Sequence, residues 1–175
     1  SNKSLDKIPD FIEQILLVGF SRKGRIISIG GGITQDISCF IASTLFRGVE
    51  WLFVPTTLLA QADSCIGSKS SINVRKYKNQ MGTFYPPDEI LLDPDFLGTL
   101  EKDEIHSGIG EIIKVHIISG WSDFSKLEKN INQIYEDREL LLHFVHRALI
   151  IKQTKIEADE FDRGIRLVMN YGHTI

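Results

Sequence analysis

Polar and charged side chains are concentrated between Pro55 and Pro87, in a stretch that follows a short apolar run. Asp63 could hold or deprotonate a hydroxyl group, whereas Lys69, Lys78 and Asn79 could bind the oxygens of a phosphate or carboxylate. This density of donors favours an anionic partner. A solvated surface loop has a similar composition, so these residues alone leave that alternative open.

A second candidate group lies in GIGEIIKVHI, where Glu111 and Lys114 are three residues apart and share a face of an otherwise apolar helix. Burying both side chains is costly unless something pairs them. An ordinary structural ion pair is the alternative. Gly108 and Gly110, just upstream, permit close approach of another backbone and so favour a site.

The end of the sequence offers Lys152, Arg166, Asn170 and His173. Arg166 and Asn170 share a face if this segment is an α-helix. Glu111 and His173 could supply an oxygen and a nitrogen to Zn²⁺, but a catalytic zinc normally takes three protein ligands and the third is not evident. The pair His143 and His146 is predicted to belong to an ordinary helix rather than to a metal site.

The elements that position these groups begin with a βαβ pattern. Arg25–Ile29 and Trp51–Val54 are predicted strands, and Asp36–Phe46 is a predicted helix between them, which indicates a parallel sheet with a right-handed crossover. The turn Gly30–Gly32 would let backbone N–H groups approach a phosphate. It lacks the full GxGxxG pattern, so a simple tight turn stays open, as does plain helix capping for Asp36 in the first helical turn.

The periodicity changes at Pro94. Before it, a helix at Leu5–Gly19 and a strand at Glu89–Leu92 complete an α/β part. After it, helices are predicted near residues 101–120, 124–135 and 138–158. We therefore predict two partial domains, residues 1–94 and 95–175, the first α/β and the second all-α.

Composition narrows the classes of function. The 175 residues carry a formal net charge of −3, with 42% hydrophobic and 25% charged residues, so the chain has no basic footprint for nucleic acid and no polybasic membrane anchor. No apolar run approaches the ~18 residues of a membrane span, and the first residues lack the apolar core of a signal peptide. A cytoplasmic location is predicted, with Cys39 and Cys65 as reduced thiols.

Taken together, the motifs GGGITQD, RGVEWLFVPTTLLAQADSCIGSKSSIN, YKNQMGTFYPP, GIGEIIKVHI and GIRLVMNYGHT resemble those of 3-dehydroquinate synthase and its sugar phosphate cyclase relatives, in the same order along nearly the whole chain. The resemblance implies a Rossmann-like NAD-binding domain followed by a helical metal-binding domain. It also implies that the family's N-terminal part precedes Ser1.

The resemblance assigns site residues by matching position. NAD would contact Gly31, Gly32, Asp36, Thr56, Thr57, Lys69, Lys78, Phe96 and Thr99. The substrate would face Asp63, Lys69, Asn79, Glu111, Lys114, Lys152, Arg166 and Asn170. Glu111 and His173 match two of three ligands of a divalent metal, Zn²⁺ or Co²⁺, and the third would lie beyond Ile175.

The implied reaction converts a seven-carbon sugar phosphate into a carbocycle, by transient oxidation with NAD⁺, loss of phosphate, reduction and aldol closure. The resemblance also implies a homodimer, and neither nucleic-acid nor membrane partners are expected. Asn170 matches the dehydroquinate synthase type, which favours it over the deoxy-inosose and valiolone types, although Gly67-Ser68-Lys69 departs from the common Gly-Gly-Lys. A metal-dependent polyol dehydrogenase and an inactive nucleotide-binding module remain alternatives. The 175-residue chain alone is expected to be inactive.

Overall fold

A computed structural model describes residues 3–171 of the chain. The chain forms two compact units that are interleaved in sequence. The α/β unit consists of Ser1–Thr56 and Gly67–Asp93, and the helical unit consists of Thr57–Ile66 and Pro94–Ile175. The second unit therefore includes ten residues from the middle of the polar stretch that precedes the predicted boundary at Pro94.

The elements of the α/β unit alternate in the predicted way. In chain order they are helix α1 (Ile8–Leu17), strand β1 (Ile26–Gly30), helix α2 (Gly32–Thr44), and strands β2 (Trp51–Pro55), β3 (Ile72–Val74), β4 (Tyr77–Met81) and β5 (Glu89–Ile90). Strands β1, β2 and β5 form a parallel sheet in that order. The predicted strands and their parallel pairing are confirmed.

Strand β2 is the central strand of this sheet, and it carries large apolar side chains that are buried. Trp51 and Phe53 are fully enclosed. The indole N–H of Trp51 donates to the carbonyl of Pro86 at 3.0 Å, and its backbone N–H donates to Asp88 at 2.8 Å. The polar edge of the ring is thus satisfied, which is what a buried tryptophan requires.

Strands β3 and β4 form an antiparallel hairpin in the polar segment, for which no strand was predicted and a solvated surface loop was left open as an alternative. Arg75, in its turn, has a φ of 53°, in the left-handed region. The side chain of Ile72 is buried against the apolar face of α1 and α2, together with Ile8 and Ile41. Every residue of β4 is exposed. The strand therefore lacks the alternation of apolar and polar residues by which a sequence reveals a half-buried strand.

The helical unit contains a short helix α3 (Leu58–Ala62) and three long helices, α4 (Lys102–Ser119), α5 (Trp121–Asn130) and α6 (Arg138–Ala158). Residues Pro94–Thr99 and Ile165–Asn170 form 3₁₀ helices. The start of α6 is fixed by Asp137, whose carboxylate accepts the N–H of Leu140 at 3.0 Å. A capping box between Glu101 and Glu104 starts α4.

Helix α3 packs on α4 at Gly108. A side-chain carbon at position 108 would lie 2.4 Å from Cγ of the fully buried Leu58, so only glycine permits this contact. Leu58 and Ala62 enter the core of the helical unit, which contains Ile109, Ile112, Leu127, Ile134, Leu141, Phe144 and Val145. The nearest atoms at this glycine thus belong to a side chain of α3, whereas the sequence predicted the approach of a backbone.

Three predicted elements differ from those observed. Helix α5 starts and ends earlier than the predicted 124–135, and turns occupy 131–136. Helix α2 begins at Gly32 rather than at Asp36. Arg166 and Asn170 lie in a 3₁₀ helix, where residues four apart do not share a face, and Arg166 is buried while Asn170 is exposed. Within residues 3–171, no helix combines the length and apolar character needed to cross a bilayer.

Candidate active site

Four charged side chains meet in the helical unit, and we refer to Asp63, Glu111, Lys114 and Lys152 as the charged quartet. The ammonium group of Lys152 lies 2.6 Å from Oδ1 of Asp63 and also donates to the backbone carbonyl of Asp63. The ammonium group of Lys114 lies 2.5 Å from Oε1 of Glu111. Two carboxylates and two ammonium groups thus balance in charge.

The elements of the helical unit bring these four residues together. Asp63 is the residue that ends α3, Glu111 and Lys114 lie one turn apart on α4, and Lys152 lies near the end of α6. The side chains of Lys152 and Glu111 are each 8% exposed, and that of Asp63 is 25% exposed. A largely desolvated cluster of this kind strengthens the interaction of each charge with a bound ligand.

Burial raises the pKa of Glu111, and the nearby carboxylate of Asp63 raises it further, whereas Lys114 and Lys152 act in the opposite direction. A carboxyl group in this environment can accept or release a proton nearer to neutral pH than a solvated one. Burial also raises the pKa of the Cys65 thiol to about 12, which favours its protonated form.

Glu111 suits a divalent metal because a carboxylate oxygen is a normal ligand of Zn²⁺ and a cation would relieve the cost of burying this charge. No group of three His, Cys, Asp or Glu side chains that could hold a metal occurs within residues 3–171. His173, the predicted second ligand, lies outside the described residues. The donor chemistry of Glu111 fits a metal, with further ligands required.

In the glycine turn of the α/β unit, the backbone lies close to neighbouring atoms. Strand β1 ends at Gly30, where a side-chain carbon would lie 2.4 Å from Oγ1 of Thr34 in the first turn of α2. Gly31 is the N-cap of α2 and provides no side chain to satisfy the first helical N–H groups. Those of Gly32 and its neighbours can therefore bind an anion such as a dinucleotide phosphate.

Asp36 lies in the second turn of α2, so its interpretation as a first-turn capping residue is wrong. Its carboxylate accepts the Lys3 ammonium at 2.8 Å and the backbone N–H of Ser71 at 2.8 Å. Lys3 also donates to Ser71 and to Oδ1 of Asn79, each at 2.9 Å. These four residues form a polar hub that joins the start of the chain, α2 and the hairpin.

Asn79 has a φ of 56°, in the left-handed region that Asn tolerates better than most residues. Its backbone N–H donates to the side chain of Asn73 at 2.9 Å. Asn79 is exposed even though Lys3 holds its amide oxygen. The hub therefore fixes the position of one predicted substrate-binding group.

The other predicted residues are distributed over both units. In the α/β unit, Thr56 donates its backbone N–H to the carbonyl of Gly30, and Lys69 and Lys78 have exposed side chains. In the helical unit, Thr57 caps α3, and Thr99 donates its hydroxyl to the carbonyl of Phe96. Arg166 donates to the carbonyl of Glu160 at 2.6 Å, and Asn170 lies at the end of the last 3₁₀ helix. Among the described residues, these contacts bring predicted residues together in three places: the quartet and the pair Phe96 and Thr99 in the helical unit, and the pair Asp36 and Asn79 in the α/β unit.

Sequence reasoning missed Lys3, because it lies in a short segment before the first predicted helix and nothing in the local pattern marks it. It also missed a second polar cluster on the helical unit. There, the guanidinium group of Arg147 donates from Nε to Oδ1 of Asp123 at 2.8 Å and from Nη2 to Oδ2 at 2.7 Å. Ser119 donates its hydroxyl to the same carboxylate. These residues lie on three helices, so no local spacing links them.

The Arg147 guanidinium lowers the pKa of Asp123 to about 2, with a further contribution from the hydroxyl of Ser119. Because the pKa in the folded state is lower than that of an unfolded Asp, this carboxylate stabilises the fold above about pH 4, and its contribution is lost as the pH falls from about 4 to about 2. We expect Asp123→Asn to flatten the pH dependence of stability in this window. Urea unfolding of both proteins between pH 2 and pH 6 measures this, and parallel curves would contradict it.

Comparison with known proteins extends these observations. The family model described as the N-terminal part of 3-dehydroquinate synthase matches residues 1–107, and the model of the C-terminal part matches residues 108–175. The parallel sheet with its glycine turn and the helical unit with its charged quartet thus define a two-part α/β and all-α enzyme class. The chain belongs to the 3-dehydroquinate synthase family.

Individual relatives agree with this assignment. The chain is 40% identical over 174 residues to the 3-dehydroquinate synthase of Dictyoglomus thermophilum and 41% identical over 174 residues to that of Pelagibacter ubique. It covers 49% and 47% of these relatives, so it spans about half of their length. Among solved structures, 2-epi-5-epi-valiolone synthase of Streptomyces hygroscopicus, with NAD⁺ and Zn²⁺ bound, aligns over 98% of this chain and 49% of its own, with 28% identity and a TM-score of 0.90.

Proposed function

We propose that this chain carries catalytic residues of a carbocycle-forming phosphate lyase of the 3-dehydroquinate synthase type. The observation that carries the proposal is the charged quartet, because two carboxylates and two ammonium groups, one buried and one half-buried, suit a substrate that has both hydroxyl and anionic groups. The substrate would be 3-deoxy-arabino-heptulosonate 7-phosphate and the product 3-dehydroquinate. In this role, residues 1–94 would serve mainly NAD binding and residues 95–175 metal and substrate binding.

NAD, held by the glycine turn of the α/β unit, would supply reversible hydride transfer to and from a secondary alcohol of the substrate, so that no NAD would be consumed overall. In the intervening ketone the neighbouring C–H bond is more acidic. Loss of that proton and departure of the phosphate create a double bond, reduction restores the alcohol, ring opening frees a carbonyl group, and an intramolecular aldol addition closes the carbocycle.

Residues of the quartet would bind and orient the reacting groups. Asp63, held by Lys152, can accept a hydrogen bond from a substrate hydroxyl while its own position stays fixed. Lys152 and Lys114 can donate to phosphate or carboxylate oxygens, with Arg166 as a further cation. Glu111, together with His173, would hold the divalent metal, which supplies Lewis-acid polarisation of a hydroxyl group.

Residues of the α/β unit would bind the dinucleotide. The N–H groups of Gly31 and Gly32 lie at the start of α2, where the helix dipole favours a pyrophosphate. Asp36 would contact the cofactor as a member of the polar hub. The remaining residues proposed for NAD are Thr56, Thr57, Lys69, Lys78, Phe96 and Thr99, and the proposed substrate residues Asn79 and Asn170 complete the set.

A second cyclase type is the closest alternative, since the valiolone synthase of Streptomyces hygroscopicus shares the fold at 28% identity. Asn170 supports the dehydroquinate synthase type by resemblance. A polyol dehydrogenase would use NAD as a dissociating cosubstrate, and a small alcohol has no anionic group for the cationic and amide cluster from Lys69 to Asn79 to bind. We further propose a homodimer that acts in the cytoplasm on a small sugar phosphate.

The test must allow for a chain that spans about half the length of its relatives. We would replace the matching half of the Dictyoglomus thermophilum enzyme by this chain and assay the chimera with 3-deoxy-arabino-heptulosonate 7-phosphate, NAD⁺ and Zn²⁺. We expect phosphate release without net formation of NADH. The 175-residue chain alone is expected to show no turnover.

Matched chimeras give the control. Lys152→Met in the chimera is expected to lower kcat/KM for phosphate release by about a thousandfold, because a charge-assisted contact made to the reacting groups is lost. Lys155→Met, three residues along the same helix, should leave the rate within about twofold. A folded chimera, judged by circular dichroism, that releases no phosphate or that accumulates NADH would reject the proposed reaction.

A further inference from the structure

A cavity lies on the helical unit, and its lining does not include the charged quartet. It has a volume of about 410 Å³ and is lined by side chains from α4, α5 and α6, namely His116, Ser122, Asp123, Lys126, His143, Phe144 and Arg147. This volume suits a small organic ligand or an inorganic anion with its water.

His116 lines the cavity and has a buried, unpaired ring nitrogen. The residue is 1% exposed, and its Nδ1 lies 2.8 Å from the carbonyl oxygen of Ile112. A carbonyl oxygen can only accept, so Nδ1 carries the proton and Nε2 of the neutral ring has a free lone pair. Burial lowers the pKa of His116, which keeps the ring neutral. Within residues 3–171, Nε2 has no hydrogen-bond partner.

An unpartnered buried acceptor indicates that a donor belongs at this position, because leaving such an atom unsatisfied destabilises the fold. The aromatic ring of Phe144 packs edge-on against the imidazole, with ring centroids 5.5 Å apart, and holds it in place. Nε2 is therefore a fixed acceptor that suits a hydroxyl group.

The charged residues of the cavity favour an anion. The carboxylate of Asp123 already accepts two N–H groups from Arg147 and the hydroxyl of Ser119, so its charge is compensated within the cluster. Arg147 has five N–H donors and uses two of them on Asp123. Lys126, on the exposed side of α5, adds a further positive charge, and His143 a further ring nitrogen.

We propose that this cavity binds a small anion that also carries a hydroxyl group. Lys126 and the remaining donors of Arg147 bind the anionic oxygens, and the hydroxyl donates to Nε2 of His116. Hydrogen phosphate, with its P–OH group, and a hydroxycarboxylate share this chemistry. Sulfate and a simple carboxylate lack the hydroxyl donor.

Two matched pairs of ligands test this inference by isothermal titration of the protein: phosphate against sulfate, and malate against succinate. Within each pair the charges are similar and only one member offers the hydroxyl. We expect the hydroxylated member of at least one pair to bind about fivefold to tenfold more tightly, the value of one neutral hydrogen bond. The pair that discriminates identifies the ligand class as phosphate or hydroxycarboxylate.

Variants connect the discrimination to the residues. His116→Phe keeps a ring of similar shape and should abolish the preference within the pair, while Lys126→Met should weaken both members alike. Lys129→Met, on the same helix but outside the cavity, is the control and should change neither. Because His116→Phe could disturb the core, the ¹⁵N resonance of Nε2 in the unmodified protein is a second readout, and it should shift with the hydroxylated ligand. Equal binding within both pairs, or no binding of any of the four, would overturn the proposal.

Discussion

Lys152→Met is expected to lower the free energy of unfolding by about 2 to 3 kcal/mol at pH 7, since it removes one partner of a largely buried ion pair. Methionine fills the space of the lysine stem but leaves Asp63 without the ammonium group that lies 2.6 Å from it. Asp63 then faces Glu111 with less compensation. The estimate lies below that for a fully buried pair because Asp63 is 25% exposed.

A double-mutant cycle separates this loss from a simple packing defect. Asp63→Asn combined with Lys152→Met removes both charges, so most of the lost stability should return and the coupling energy should exceed about 1 kcal/mol. Lys155→Met is the matched control on α6 and should change stability by less than about 0.5 kcal/mol. Urea unfolding followed by circular dichroism provides all of these values. Strictly additive effects of the two substitutions would contradict a stabilising ion pair between Asp63 and Lys152.

Substitution of two glycines on α4 by alanine should change stability in opposite directions. At Gly108 the new carbon would lie 2.4 Å from Cγ and 2.6 Å from Cβ of Leu58, which is fully buried and has little room to move. We expect a loss of about 1 to 2 kcal/mol, since overpacking outweighs the better helix propensity of alanine.

At Gly110 nothing lies within 4 Å of the position of the new carbon. Alanine there should raise the free energy of unfolding by about 1 kcal/mol, because it lowers the conformational entropy of the unfolded chain. Each variant adds one methyl group to α4, and the two positions are only two residues apart. Each variant therefore serves as the control for the other. Thermal and urea unfolding should therefore place them on opposite sides of the unmodified protein, and destabilisation by both would show that α4 does not tolerate any added carbon here.

The parts of the fold that the sequence predicts are those with clear end signals and no helix-breaking residue inside them. Helix α6 occupies the predicted range Arg138–Ala158, because this long run contains no glycine or proline and Asp137 caps it. Strands β1 and β2 are short apolar runs bounded by glycine or polar residues, and they pair as predicted. The two free, buried thiols of Cys39 and Cys65 agree with the predicted reduced state.

The parts that escaped prediction lack a local signal. Helix α3 has only five residues inside a polar stretch, and it is stabilised by the contact of Leu58 with a helix about fifty residues later in the chain. The start of α2 was placed too late, since glycine has low helix propensity although the N-terminal position tolerates it.

Part of the candidate site could be predicted in the same way. The spacing of Glu111 and Lys114 on one helix face predicted their ion pair, which the structure contains. The pairing of Asp63 with Lys152, 89 residues apart, could not follow from spacing. The hub around Lys3 and the cluster of Asp123 with Arg147 likewise depend on how separate elements pack.

The interleaving of the two units has a consequence for dividing the protein. A cut between Lys76 and Tyr77, in the turn of the hairpin, gives fragments 1–76 and 77–175. The first fragment would carry α3, which belongs to the helical unit, and the second would carry β4 and β5, which belong to the α/β unit. Neither fragment contains a whole unit, so each would need its complement to fold. The chain therefore has the organisation of a split reporter, in which the association of two fragments restores both units at once.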